Sequence, residues 1–521
     1  MPYGTTKKRS DHMKSRNQIV SLIVCLSLML TAMALPAMAE EPFELTVLTM
    51  RWGDHGDTFT DNQWLKDAQA KLGVKIVWQV VSSNDWPEQR GIMFAGGELP
   101  DIFIGNQTVR DADVTGNRAY FLELTDIVNQ YMPNYQHALE AIPAMKKIAT
   151  EADGTMYSFA KIQPARPTVR NQLIINKQWL DTLKLEIPTN VEELKSVMLA
   201  FKENDPNGNG VADEIPYSHN GDIPSDWLSP FGVTDINETM MSITSGDPFF
   251  WPTSEKYKEG IAWTRELYEM GLIDPEIFTQ DWSMLTGKWL NEAVPIVGMS
   301  YQWTPDAVFG QWSSQYAAIP PIKDMDGNAY SSGDPDGIFA IMNNEAHITT
   351  QCENVEMAAK WLDEFYTSEA SIQNFWGAIG TVITKNEDGT YTLNDPPEGV
   401  SADAWYWEQS LRDFGPKFVE PGFNEKLLLD PTAGDGFKLE IAKMAADYVT
   451  KPFPNLKYTA EENDELALLS TDIAGYCQQM RAKWVTEGGI DAEWDEYITQ
   501  LNAMGLERFV ELRMAAYNRS L

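Results

Sequence analysis

The segment Asn204-Asp205-Pro206-Asn207-Gly208-Asn209-Gly210-Val211-Ala212-Asp213-Glu214-Ile215-Pro216 has the residue types and spacing of a cation-binding loop. Counting from Asp205, oxygen-bearing side chains fall at every second position, glycine occupies the sixth, where such a loop turns sharply, and a carboxylate stands at the ninth. The twelfth position should hold a bidentate Glu but holds Pro216, so Glu214 is expected to close the shell. Asp205, Asn207, Asn209, the Val211 carbonyl and Asp213 would be the other ligands. An all-oxygen set of this kind suits Ca2+. With nearly every place filled by protein, the ion would fix the loop and activate no water. The alternative is a polar turn rich in Asx and Gly.

The second group with chemistry in it is aromatic. The chain has 18 Trp in 521 residues, many of them outside helical stripes and beside Arg, Asp or Gln. A sugar ring packs its C–H face on indole while its hydroxyls pair with carboxylates, amides and guanidinium groups. The candidate ligand-binding residues are Arg51, Trp52, Asp54, Trp86, Trp227, Trp303, Trp376 and Trp407. Trp52 and Trp303 fit best, because they follow predicted strands and open α/β sheets bind ligands at the carboxyl ends of strands. For each of these Trp, packing in a core is the competing role.

The elements that must position these residues can be read from periodicity. Phe43 to Thr49 alternates as a strand, Asn62 to Lys71 reads as an amphipathic helix stopped by Gly73, and Val74 to Val81 is a second strand. A helix from Trp86 then leads through Gly96-Gly97 to Leu99-Pro100-Asp101-Ile102-Phe103-Ile104, giving β-α-β-α-β and a parallel sheet. A second cycle starts at Gln172 to Asn176, with helices at Lys177 to Leu183 and Val191 to Lys202, the latter capped by Thr189. Glu255 to Met270 is a long helix and Ala293 to Ser300 a strand. Beyond residue 350 the pattern is mainly helical: Val355 to Thr367, Ala404 to Phe414, Phe437 to Tyr448, Asp464 to Val485 and Glu493 to Asn518.

A basic stretch with Lys7, Lys8, Arg9, Lys14 and Arg16 precedes the apolar run Ile19 to Leu35 and the small-residue exit Ala37-Met38-Ala39, which predicts a signal peptide at 1–39 cleaved near Ala39. Cys25 lies inside the apolar run behind Val24, so no clear lipobox is present, and a secreted protein on the extracellular face of the envelope is expected. Those 39 residues carry five basic side chains and one Asp, so their removal takes the formal net charge from −36 to −40. Such a field argues against nucleic acid and anionic lipid as partners. Cys352 and Cys477 allow at most one disulfide. The chain has no Gly-x-Ser-x-Gly, no His-Glu-x-x-His, no glycine-rich phosphate loop and only five His, so a non-enzyme is expected. Paired carboxylates for glycoside cleavage remain an alternative among 76 Asp and Glu.

Taken together, Trp86-Pro87-Glu88, Gly96-Gly97-Glu98-Leu99-Pro100-Asp101-Ile102, the Asp205 to Glu214 loop, Gly271-Leu272-Ile273-Asp274-Pro275-Glu276 and Lys360-Trp361-Leu362-Asp363-Glu364-Phe365-Tyr366 resemble the family 1 extracellular solute-binding proteins of carbohydrate ABC transporters. The resemblance is to the large alginate-oligosaccharide-binding and LplA-like members. It implies an α/β, two-lobe periplasmic-binding-protein-like fold (type II) with a hinge, ligand-driven closure, structural calcium on the loop residues named above, a sugar or oligosaccharide ligand and ABC permease partners. A monomer is expected. The expected lobes are 40–165 plus 300–355, and 166–299 plus 356–521, the second carrying the loop. A secreted carbohydrate-active enzyme and a ligand-sensing surface protein of the same fold are the rival readings.

Overall fold

The computed structural model describes residues 42–52, 56–151, 153–244, 246–290, 293–335, 337 and 340–521. The predicted signal peptide and the candidate Asp54 lie outside the described residues.

Among the described residues the two largest hydrophobic cores are built on two mixed sheets. The first sheet has the order β2-β1-β3-β9-β4, with β1 Phe43–Arg51, β2 Val74–Ser82, β3 Ile102–Ile104, β4 Phe159–Ile162 and β9 Ile341–Ile348. The predicted β-α-β-α-β unit is present, with β1 parallel to both β2 and β3. Val47, Leu48, Ile102, Phe103 and Ile104 are buried on both faces, as a strand covered by helices requires. Helix Gln63–Leu72 starts where the Asn62 side chain accepts the Trp64 N–H, and it stops at Gly73, whose φ of 67° is left-handed. The Asp101 carboxylate accepts both the N–H and the hydroxyl of Thr46 at 2.7 Å, which ties the Leu99-Pro100-Asp101 step to the middle of β1.

The second sheet has the order β8-β5-β7-β6, with β5 Gln172–Asn176, β6 Ile215–Tyr217, β7 Val297–Gln302 and β8 Tyr316–Ala318. Gly298 in β7 is required by packing: a Cβ there would lie 2.7 Å from the Phe201 ring and 2.9 Å from the Pro216 carbonyl. Helices Glu255–Glu269, Ala460–Glu487, Ile490–Ala503 and Leu506–Ser520 complete this core. Among the described residues, no helix is long and apolar enough to cross a membrane. Cys352 lies in the first core and Cys477 in the second; both thiols are free and buried, and burial pushes each up to about 11.

Several expectations need correction. β7 and β8 pair with β5, so 300–318 belongs to the second sheet and not to the first lobe, while helix Val355–Glu364 packs in the first core through Trp361. Register decides this: Gln302 lies opposite Gln172, and Tyr316 opposite Asn176. The region beyond 350 also holds a small sheet of Ile383–Lys385, Tyr391–Leu393 and Leu427–Leu428. The cap of helix Val191–Glu203 is Asn190, which accepts from Glu192 and Glu193; Thr189 instead donates to the Glu193 carboxylate. The run Glu493 to Asn518 is two helices, broken at Gly505 with φ 96°.

Candidate functional site

The chain passes between the two sheets after β4, after β8 and around helix Gly434–Ala445, and the first two crossings hydrogen-bond to each other and to the segment that follows that helix. Arg170 N–H donates to Ser332 at 2.8 Å, Asp334 N–H to Thr168 at 2.8 Å and Ser331 N–H to Tyr448 at 2.9 Å. Val169 bridges Gly333, and Ser331 bridges Val449. Gly333 has to be glycine, since a Cβ would fall 2.3 Å from the Thr168 carbonyl oxygen.

Charged and aromatic side chains from both sides converge on this ribbon. From the first side come Gln163, Phe375, Trp376, Tyr406 and the loop with Arg412, Asp413 and Phe414. From the second come Trp303, Asp306, Asp435 and Lys438, and Arg166 sits in the first crossing. Arg412 grips Asp435 with one terminal nitrogen 3.0 Å from each carboxylate oxygen, and the Trp376 indole N–H donates to the same carboxylate at 3.0 Å. Its guanidinium lies 4.1 Å from the Phe375 ring and 5.2 Å from that of Tyr406. Arg166 pairs with Asp413, which also accepts from Gln163 at 3.1 Å. Trp303 is covered by Lys438, 4.0 Å above its ring, and edged by Arg166 at 5.8 Å. Lys438 donates to the Arg170 carbonyl at 2.6 Å.

The electrostatics follow from that crowding. Burial disfavours a charge on Arg412, but Asp435, Asp403 and Asp413 outweigh it and hold the guanidinium protonated beyond its usual range. Burial lowers Lys438 to about 7 against the pull of Asp226, and Arg166 adds to the lowering. Asp403 is pushed up to about 6 by loss of water, opposed by Arg412 and reinforced by Asp435, Asp413 and Asp306. Asp413 goes down, because Arg166, Arg412 and Lys161 outweigh its burial. Three buried acceptors meet no donor: Gln163 Oε1, Asp226 Oδ1 and Asp306 Oδ2. The arrangement presents rings flanked by hydrogen-bonding groups on two facing bodies, which is recognition chemistry for a polar ligand.

The structure divides the predicted ligand-binding residues. Trp52, 43 % exposed and tilted against Phe414 at 5.9 Å, and Trp303 lie at the junction. Trp86 is a core residue whose N–H donates to the Thr108 carbonyl at 2.9 Å. Trp227 is likewise core, stacked with Trp263 at 5.0 Å and bonded to Thr264 at 3.0 Å. Trp376 and Trp407 are buried: Trp376 reaches the junction through its N–H on Asp435, and Trp407 packs in the first core against Phe414 at 5.9 Å. Arg51 is fully buried and donates to the carbonyls of Trp407 and Ser410, so it shapes the 407–410 segment. Arg166, Arg412, Asp413, Asp435 and Lys438 were missed. The signal that could have found them is charge in apolar or proline-rich company, as in Pro164-Ala165-Arg166-Pro167 and Leu411-Arg412-Asp413-Phe414-Gly415-Pro416.

The Asp205 to Glu214 loop joins helix Val191–Glu203 to β6, far along the chain from these residues. Its side chains fold inward: Asp205 accepts from the Asn209 and Gly210 N–H groups at 3.1 and 3.0 Å, and Asn209 accepts from Val211 N–H at 2.7 Å. Gly208 and Gly210 supply the positive φ values of 71° and 75°. Both Glu214 oxygens are buried without a hydrogen-bond donor, and burial with repulsion from Asp205 and Asp213 raises its carboxyl above the usual range. Orphaned carboxylate oxygens beside two further carboxylates fit the ligand set of an oxygen-bound cation. Among the described residues no three His, Cys, Asp or Glu converge on one point, so the donor set depends on Asn207, Asn209 and the Val211 carbonyl as well.

Residues 56–372 match the bacterial extracellular solute-binding protein family, and the chain belongs to it. It is 30% identical over 476 residues to the fructooligosaccharide ABC transporter substrate-binding protein FusA of Streptococcus pneumoniae, covering 87% of this chain and 86% of that protein. The structure of FusA in complex with kestose superposes with a TM-score of 0.81 at 27% identity, over 92% of this chain and 99% of FusA; a FusA EF-hand mutant in complex with fructo-nystose gives 0.81 at 26% over the same shares. An HMO-binding, ABC-transporter-associated solute-binding protein from Bifidobacterium longum infantis gives 0.78 at 25%, over 92% and 99%.

Proposed function

We infer that the protein captures a sugar or oligosaccharide between its two lobes and delivers it, unaltered, to an ABC-type importer in the membrane. The observation that carries this reading is the meeting of aromatic faces and unmatched acceptors from both lobes at the three-stranded crossing, in a chain that matches FusA along most of its length. Trp52 and Trp303 would pack on the sugar, while Gln163, Asp226 and Asp306 would take its hydroxyls. Closure about the crossing would bring the two sets together, and the permease would recognise the closed form. The family assignment supports an extracellular location with residues 1–39 removed, and a lobe division at the crossings, with 42–162 plus 341–428 in one lobe and most of 171–318 plus 434–521 in the other.

The loop residues Asp205, Asn207, Asn209, Val211, Asp213 and Glu214 would hold Ca2+ as a brace for β6, with no part in ligand chemistry. The EF-hand mutant of FusA and the orphaned Glu214 oxygens support this. Titration with oligosaccharides, followed by tryptophan fluorescence and thermal shift, tests capture; silence across neutral and acidic sugars alike overturns it. Chelation should lower the melting temperature, and Glu214→Gln should remove most of that sensitivity.

A further inference from the structure

We propose that the lobe junction selects an uncharged, hydroxyl-rich oligosaccharide and turns away uronic-acid ligands of the same size. This rests on the capture reading and adds the ligand class.

A carboxylate guest needs a guanidinium or ammonium with donors to offer, most effectively the two-pronged grip of an arginine. The cations of the junction have partners already. Arg412 commits one terminal nitrogen to both Asp435 oxygens at 3.0 Å and the other to the Phe375 carbonyl at 3.5 Å, Arg166 pairs with Asp413, and Arg51 holds the Ser410 carbonyl at 2.8 Å and that of Trp407. Lys161 faces Glu345 at 2.8 Å, Lys417 donates to the carbonyls of Phe414 and Gly415 at 2.5 and 3.1 Å, and Lys438 donates to Arg170 while lying over Trp303. Among the described residues, the buried nitrogens of these cations that lack a partner are the Nε atoms of Arg51 and Arg166. On each, the Nη2 nitrogen is already engaged, and both two-pronged edges of a guanidinium need that nitrogen, so neither can grip a carboxylate with two bonds.

The acceptor side is the reverse. Gln163 Oε1, Asp226 Oδ1 and Asp306 Oδ2 have no donor, and hydroxyl groups are what would satisfy them. Asp226, Asp306, Asp403, Asp413 and Asp435, together with Glu345, match the six cations named above one for one, so the junction holds no surplus of positive charge among them. Another carboxylate would add repulsion inside a poorly screened space. The net charge of −36 acts in the same direction at longer range.

The test is calorimetric titration of the purified chain with two sets of trisaccharides. One set is neutral and includes kestose, maltotriose and cellotriose; the other is trigalacturonate and trimannuronate. At least one neutral trisaccharide should bind ~10-fold or more tighter than either uronate. A uronate that binds equally well or better overturns the proposal while leaving capture intact, whereas no heat from any sugar overturns both. Asp413→Asn, which frees the Arg166 fork, should raise trigalacturonate affinity by ~10-fold in protein whose melting transition remains cooperative. No gain in such protein also counts against the proposal, and the wild-type comparison decides the matter if the variant does not fold.

Discussion

Trp227 and Trp303 both follow a polar residue on the second lobe, Asp226 and Gln302, and nothing in their immediate company separates them. In the fold they do opposite things. Trp227 is sealed between Tyr217 and Trp263 at ring distances of 4.1 and 5.0 Å with its N–H on Thr264. Trp303 sits just past the end of β7, between Lys438 of its own lobe and Arg166 of the crossing. The first helps create a lobe, and the second stands where two lobes meet. A tryptophan's role is therefore set by whether its strand end opens into a core or onto the junction, which its neighbours in sequence do not encode.

Substitutions should separate the two sites in size and in kind. Trp227→Ala removes a fully buried ring and should cost about 3–5 kcal/mol in denaturant unfolding, with affinity for sugar retained in the folded fraction. Asp435→Asn leaves Arg412 buried without its carboxylate and should cost about 3 kcal/mol by the same measurement. Trp303→Ala should change stability by less than about 1 kcal/mol yet weaken ligand binding by about 2 kcal/mol, roughly 30-fold in Kd by titration. Equal effects of the Trp227 and Trp303 changes on binding would erase the distinction between them.

The smallest effect expected is on pH dependence. Lys438 is held near 7 in the fold against an ordinary value of 10.5, so between those values the unfolded chain carries a proton that the folded chain has released. Stability contributed by this group should rise with pH through that window. From pH 7 to 8 the wild type should gain about 1 kcal/mol relative to Lys438→Met, read from urea unfolding at each pH. The comparison with the variant is needed because Cys352 and Cys477, with raised values, act in the opposite sense at the alkaline end.

Much of the fold could be read from the chain because local rules decided it. Asn62 and Gly73 bracket a helix, β-branched alternation marks β1 and β2, and the bounds observed there differ from those expected by one or two residues. Errors arose where the deciding contact was distant. Membership of β7 and β8 depends on pairing with β5, more than 100 residues earlier, and the break at Gly505 depends on a backbone conformation inside an otherwise continuous apolar pattern. The site was less legible still. Arg166 and Asp413 are 247 positions apart and Arg412 and Asp435 are 23 apart, so neither pair has a local signature. The loop at Asp205 was legible because its oxygens are contiguous in sequence.

The two thiols have a practical consequence. Cys352 and Cys477 are buried one in each half, and both stay protonated at neutral pH, so maleimide reagents should leave them alone while the protein is folded. A donor and an acceptor dye can then be attached at two introduced surface cysteines, one on each side of the crossing, without a cysteine-free background. Single-molecule energy transfer would report the opening angle directly as guest is added.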